Sequence, residues 1–350
     1  MTSLAGIDAN KLTRWFDDQV GGIDSGSLAF ELIAGGRSNL TYTVSDGVAP
    51  DKGGRRWVLR RPPLGHVLAT AHDMVREHRI ISALKDSGVP VPGIIGLCED
   101  ADINGAPFYV MDFVPGVVVR DVDAAEKIPV AVRHRMGESL IEVLARLHDI
   151  DVEAVGLAGL GRQGGYIERQ LKRWSTQFEQ STTRIVPGVL ETFEILASRI
   201  PNQQGAGIVH GDYRLDNCMM SPEGQVAAVL DWELCTLGDV LADVAGMIAY
   251  TDDLTTGGTP PPTSVEGFPT SDQIKEAYGR YSNRNLAQLD YYVAFAYWRI
   301  ACIVEGVYTR YAAGVMGNQE DPRFVEVLGQ RVIELAEVAH ESASQLPKVH

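Results

Sequence analysis

His210-Gly211-Asp212-Tyr213-Arg214-Leu215-Asp216-Asn217 sets an aspartate five residues ahead of an asparagine, in the pattern H-x-D-x-x-x-x-N. Fourteen residues further on, Asp231 follows the apolar run Val226-Ala227-Ala228-Val229-Leu230. These residue types at this spacing suit phosphoryl transfer. That chemistry needs a carboxylate that accepts a hydroxyl proton and aims the oxygen at phosphorus. It also needs hard oxygen ligands that hold Mg²⁺ against phosphates. Asp212 suits the first task, and Asn217 with Asp231 suits the second. Two other readings compete. Asp212 and Asn217 are common turn and cap residues. His210 and Asp212 would also serve a metallophosphoesterase, but that chemistry wants clustered histidines, and His66, His72, His78, His134, His148, His340 and His350 are dispersed.

Strands and helices must position these groups. Residues 30–34, 40–44, 56–60 and 108–114 read as strands, the third stopped by Pro62-Pro63. Helical spacing covers 11–20 and 71–86, where Met74, Val75, Ile80, Ile81 and Leu84 recur. Beyond residue 115 helices dominate, at 131–148, 165–180, 188–199, 271–281, 286–313 and 322–345. Two short apolar strands, 207–209 and 226–230, interrupt them and flank the motif. Residues 252–270, rich in Thr, Gly and Pro, read as a long mobile loop.

With 350 residues, the chain is long enough for two joined lobes. Lys plus Arg is 31 and Asp plus Glu is 46, a formal net charge of −15 that argues against a nucleic-acid-coating protein. No apolar run approaches the ~20 residues that span a bilayer, so no membrane partner is expected. Residues 1–8 lack the basic and apolar regions of a secretory signal. Cys98, Cys218, Cys235 and Cys302 form no C-x-x-C pair. That usage fits reduced thiols in a cytoplasmic protein. Oligomeric state stays open, a homodimer included.

The order of motifs resembles the aminoglycoside phosphotransferase and choline-kinase-like family of the protein-kinase-like fold. His210 through Asn217 resembles its catalytic loop, and Leu230-Asp231-Trp232-Glu233 stands where protein kinases carry the metal-binding D-F-G. Gly238-Asp239-Val240-Leu241-Ala242-Asp243 resembles the segment that follows. Val58 through Pro63, Val155-Gly156-Leu157, Gly165 through Leu171 and Arg173-Trp174 narrow the match. They resemble the kinase-like domains joined to dehydrogenase modules in acyl-CoA dehydrogenase family members ten and eleven. The kinase-like motifs occupy these 350 residues throughout, so dehydrogenase chemistry is not expected of them.

The resemblance implies an α+β, two-lobed fold. Residues 1–114 would form a nucleotide-binding lobe with an antiparallel sheet and one helix. Residues 115–350 would form a mostly helical lobe for catalysis and acceptor binding. ATP and Mg²⁺ would be bound, and a small-molecule hydroxyl phosphorylated. Gly35, Gly36 and Ser38 would lie over the phosphates, where glycine lets backbone N–H groups approach an anion; an ordinary hairpin turn is the plainer reading. Arg60 takes the place of the usual phosphate-binding lysine, with Glu77 as its partner; the plainer reading is a surface Arg beside a surface Glu. Met111, Asp112 and Val114 would flank adenine on a hinge strand, or belong to a plain core strand. Tyr166, Arg169, Arg173, Trp174 and Glu233 are candidates for the acceptor, though a solvated face would also explain the helical four. Asp239 and Asp243 either brace the catalytic loop or cap a helix. A hydroxyacyl-CoA or hydroxy acid is the implied acceptor. The alternatives are an aminoglycoside-like or choline-like acceptor, or a nucleotide-binding pseudokinase with a regulatory role.

Overall fold

Alternating burial builds the first half of the molecule. In the computed structural model, which describes residues 4–23, 28–33, 39–48, 52–64, 73–252, 260–314 and 322–347, five strands form one antiparallel sheet. They are β1 (Ala29–Leu32), β2 (Leu40–Ser45), β3 (Arg56–Arg61), β4 (Ile94–Cys98) and β5 (Phe108–Asp112), in the order β1-β2-β3-β5-β4. Tyr42 pairs with Leu59 and Val58 with Met111 across the ladders. One face carries Tyr42, Val44, Trp57, Leu59, Phe108 and Val110 into a core closed by Leu12 and Phe16 of helix α1 (Ala9–Val20). Helix α2 (Met74–Leu84) starts where the Asp73 side chain accepts from Arg76 N. Its buried face is Met74, Glu77, Ile80, Ile81 and Leu84, one helical stripe. A carboxylate in that apolar stripe demands compensation. A single short turn of helix, α3 (Ala101–Asn104), precedes β5.

The chain divides into two units. The first is the described part of Met1–Gly116 with Ala227–Glu233, and the second is Val117–Val226 with Leu234–His350. Residues 227–233, which the sequence division at 114/115 puts with the helical half, group with the sheet. Val229 N there donates to Pro90 O at 2.8 Å.

Helices α4 (Val122–Glu126), α5 (Val130–His148), α6 (Tyr166–Ser181) and α7 (Val189–Ala197) open the second unit. Then come β6 (Gly207–Val209), β7 (Cys218–Met220) and, after β8 (Val226–Val229), whose last three residues group with the first unit, β9 (Thr236–Gly238), with β6 antiparallel to β9. Helices α8 (Leu241–Thr251), α9 (Ser271–Tyr281), α10 (Leu289–Ala312) and α11 (Pro322–Ser344) complete it. Helix α8, absent from the sequence reading, is buried from Leu241 through Ala249. A helix apolar on every side has no period to detect. Of the expected loop 252–270, residues 253–259 lie outside the described residues. The part from Pro260 on is anchored by buried Phe268 and by the Thr270–Gln273 capping box that starts α9. Among the described residues no helix is long and apolar enough to cross a membrane.

Candidate active site

Strand β6 is buried along its length and delivers His210, also buried, to the loop that carries Asp212. Gly211 sits at φ +86, and a Cβ there would lie 3.0 Å from the Leu234 backbone carbonyl oxygen, so the turn admits only glycine. Asp243 of α8 fixes this turn by accepting from His210 N at 2.6 Å and Gly211 N at 2.9 Å. Of the two expected bracing residues, Asp243 is therefore the brace. Asp239 accepts from Tyr292 Oη at 2.5 Å and from Leu241 N, near the start of α8. Burial raises the Asp243 carboxyl, but the His148 side chain and these backbone donors outweigh it and hold the group below the usual range.

Asn217 Nδ2 donates to both Asp212 Oδ2 and Asp212 O at 2.8 Å. The amide oxygen is left out of that pair of bonds. Arg214 Nε lies 3.4 Å from Asp212 Oδ1, and its Nη2 lies 3.1 Å from Asp216 Oδ2. Its guanidinium stands 5.0 Å from the Tyr250 ring centre. Burial opposes the Arg214 charge, but the two aspartates overcome it and raise the group further. Burial likewise pushes the Cys218 thiol up, which makes it an inert core group rather than a nucleophile.

In the first unit, Asp231 is the one described non-glycine residue at positive φ, 61°. Left-handed backbone at a non-glycine residue costs about 1–3 kcal/mol and marks functional sites. Trp232 Nε1, donating to Val229 O at 3.1 Å, pins the turn. Arg60 Nη2 donates to Asp231 Oδ1 at 2.5 Å, and Arg60 Nε lies 3.0 Å from Glu77 Oε2, an ion contact off the angle of a hydrogen bond. The side chains of Arg60 and Glu77 are 12% and 2% exposed, so the surface-pair reading fails. Tyr109 Oη donates to Glu77 Oε2 at 3.0 Å, and Asn39 Nδ2 donates to Glu77 Oε1 at 3.0 Å. Burial raises the Glu77 carboxyl, with Arg60 pulling the other way.

The remaining expected residues divide. Gly35, Gly36 and Ser38 lie outside the described residues. Met111 is buried in β5 opposite Val58, and Val114 is half-buried just past the strand. Asp112 N donates to Gly93 O at 2.8 Å, so that N–H is not available to an adenine. The acceptor face expected on α6 does not form. Tyr166 is buried against Gly238, where a Cβ would come within 2.2 Å of its ring. Trp174 is buried as well, with Nε1 donating to Gln170 at 3.0 Å. Arg169 turns back on its own loop, donating to Gly164 O and to Arg162 O. Arg173 alone of the four is exposed, over the Trp174 ring. Glu233 joins the Arg60 network instead, accepting from Asn39 at 3.4 Å. Sequence reasoning missed Asn39, Tyr109 and Arg214. Arg214 stands inside the motif itself, and Tyr109 faces Arg60 in the β3–β5 register.

The donor set fits Mg²⁺. In the first unit Asp231 is a carboxylate, a third exposed, and in the second Asn217 has an amide oxygen, each an oxygen ligand of the kind Mg²⁺ takes singly or in pairs beside waters and phosphates. No group of three or more His, Cys, Asp and Glu among the described residues is arranged to hold a metal ion.

Comparison with known proteins agrees with this geometry. The model of the phosphotransferase enzyme family matches residues 29–283. Acyl-CoA dehydrogenase family member 10 of Mus musculus is 34% identical over 349 residues, which cover 97% of this chain and 31% of that protein. The chain thus spans less than half the length of the curated relatives it matches. A solved Ralstonia eutropha structure, assigned as an aminoglycoside phosphotransferase, superposes with a TM-score of 0.79 at 32% identity, over 97% of this chain and 98% of that one. Choline kinase from Cryptosporidium parvum shares the fold, with a TM-score of 0.65 at 12% identity over 95% of this chain and 96% of that one. The fold is α+β and protein-kinase-like, and the chain belongs to the phosphotransferase enzyme family.

Proposed function

We propose that this chain transfers the γ-phosphoryl group of ATP to a hydroxyl of a small molecule, with Mg²⁺ accompanying the nucleotide. Nucleotide binding is assigned to the first unit and acceptor binding to the second. The observation that carries the reading is the buried Arg60, which contacts Glu77 and Asp231 at once. A surface arginine would leave a pseudokinase in play. A guanidinium clamped between the α2 carboxylate and the strand-end aspartate is instead a cation held ready for phosphate. A hydroxyacyl-CoA or a free hydroxy acid is the acceptor that the resemblance favours.

In the reaction the acceptor oxygen forms its bond to the γ-phosphorus as the bond to the β–γ bridging oxygen breaks, and ADP leaves. Asp212 aligns the hydroxyl and takes its proton. Asn217 Nδ2 fixes the carboxylate by bonding both its side chain and its backbone. Arg214 sets positive charge beside it. Asp243 holds the backbone that precedes it. Arg60 steadies the phosphates. Asp231 and the Asn217 amide oxygen would hold Mg²⁺, which when bound neutralises charge on the phosphate oxygens.

The test is ADP release by the purified chain with Mg-ATP. The acceptor panel holds hydroxyacyl-CoAs, hydroxy acids, aminoglycosides and choline-like amines. Turnover on one class is expected, reduced by about 10²–10⁴-fold in Asp212→Ala with nucleotide binding kept. A chain that neither turns over any acceptor nor binds Mg-ATP sinks the assignment.

A further inference from the structure

Asn39, just ahead of β2, is 4% exposed. Its Nδ2 donates to Glu77 Oε1 at 3.0 Å and to Glu233 Oε2 at 3.4 Å. An amide NH₂ carries two hydrogens, so one group serves both carboxylates. The need to satisfy buried Glu77 explains the first bond. It does not explain the second, because Glu233 is half-buried and water could serve it instead.

The second bond closes a ring within the first unit. Glu77 Oε2 meets Arg60 Nε at 3.0 Å, and Arg60 Nη2 donates to Asp231 Oδ1 at 2.5 Å. Asp231 and Glu233 stand two residues apart on the turn after β8. Two bridges therefore run from Glu77 of α2 to that turn, a charged one through Arg60 and a neutral one through Asn39. The Trp232 bond to Val229 O shapes the turn from within and does not tie it to α2. A left-handed residue such as Asp231 keeps its backbone only where its surroundings hold it.

The two bridges are not equivalent. On the reading above, Arg60 has to serve the phosphates, and what it gives to them it takes from Asp231. An amide between two carboxylates has no charge to redirect. An aspartate of the same shape would face both carboxylates with no hydrogen to donate.

We propose that Asn39 is a positioning residue. Its amide holds the turn of Asp231 against α2 without Arg60, so the Asp231 carboxylate keeps the place from which it would hold Mg²⁺ while the guanidinium serves phosphate. This rests on the phosphotransferase reading above and adds a residue that acts through Asp231 rather than on the nucleotide.

The experiment measures, by calorimetry, binding of the ATP analogue with a β–γ methylene bridge, once in EDTA and once with Mg²⁺. The proteins are the wild type, Asn39→Ala, Glu233→Ala, Glu233→Gln and the double variant Asn39→Ala/Glu233→Ala. The readout is the gain in affinity that Mg²⁺ brings, recorded beside the melting temperature. That gain should fall by about tenfold in Asn39→Ala, with binding in EDTA kept because Arg60 is intact. Glu233→Ala, at a half-buried position, should lose the gain by a similar factor and melt as the wild type does, so the test holds even if Asn39→Ala folds poorly. Glu233→Gln keeps an oxygen for the amide and should keep most of the gain. The double variant should lose no more than either single one, because both break the same bridge. A full gain in Asn39→Ala, with only a lower melting temperature, overturns the proposal and leaves Asn39 a partner of buried Glu77. A loss in Glu233→Gln equal to that in Glu233→Ala overturns it too, because the Glu233 charge is then the active feature. Losses that add in the double variant do the same. If the gain behaves as expected and no acceptor is turned over, Asn39 keeps its role and the phosphotransferase reading falls. A wild type with no gain from Mg²⁺ overturns both.

Discussion

The two units satisfy a buried carboxylate in different ways, Glu77 through side chains and Asp243 mainly through the backbone of the loop it holds. In the first, Arg60 faces two carboxylates, and Glu77 receives Asn39, Tyr109 and Arg60. That network is satisfied without any ligand and needs nothing more to hold its shape. In the second, Asp243 accepts from His210 N and Gly211 N, and Arg214 lies against Asp212 and Asp216. A matched carboxylate fixes whatever meets it, which is a set of side chains around Glu77 and a backbone turn at Asp243. Removing Asp243 should therefore damage stability and the loop together, whereas altering the network around Glu77 should damage nucleotide binding.

Asp243→Ala gives the strongest test of that contrast. It strips His210 N and Gly211 N of their acceptor and leaves His148 facing an apolar gap. Breaking a buried, hydrogen-bonded charge of this kind costs about 3–5 kcal/mol. Urea unfolding should show that loss, together with loss of turnover. Equal stability for Asp243→Ala and the wild type would mean that matching is not what holds the catalytic loop.

A smaller effect is expected in the first unit. Arg60→Lys keeps the charge but replaces a planar fork by a point, which cannot reach Glu77 and Asp231 in the same geometry. The KM for ATP should rise by about tenfold, or about 1.4 kcal/mol, with the acceptor KM unmoved. A change in acceptor KM instead would show that the two networks are not separable in this way.

Much of this was legible from local pattern. The amphipathic periods of α5, α9 and α11 place those helices within a few residues of where they stand. Asp212, Asn217 and Asp231 are recognisable because their spacing lies within one short stretch of chain. The α6 face was misread because a helical period locates a stripe without saying which side is buried: Tyr166 and Trp174 are core, and Arg169 folds back. Strands β4, β7 and β9 were not read, because β4 is apolar without alternation and the three-residue β7 and β9 lack the Ile-Val pair that marks β6. Arg299 carries no local signal at all. It meets Gly211 across 88 residues of sequence, a contact that only packing reveals.

The smallest expected effect is a pH dependence, and it tests whether His148 belongs with the matched groups. His148 is buried, with Nδ1 2.8 Å from Tyr278 Oη and Nε2 3.5 Å from Asp243 Oδ2. Arg284 donates to its backbone carbonyl, and Asp149 follows it in the chain. Burial lowers its affinity for a proton from the ordinary value of 6.5, more than Asp243 raises it. In the unfolded chain the same histidine takes up its proton near that ordinary value. Below it, the unfolded state binds more protons than the folded one, so stability falls as pH falls. The slope is at most about 1.4 kcal/mol per pH unit, until the folded histidine itself protonates. Subtracting the urea stability of His148→Gln from that of the wild type at each pH isolates this contribution. The difference should be flat above pH 6.5 and decline below it, in the range where Asp243 is still ionised. A difference that grows as pH falls would mean that His148 charges against Asp243, making the brace of the catalytic loop an ion pair. Asp243→Ala would then lose its stability cost with rising pH, which a neutral His148 does not allow.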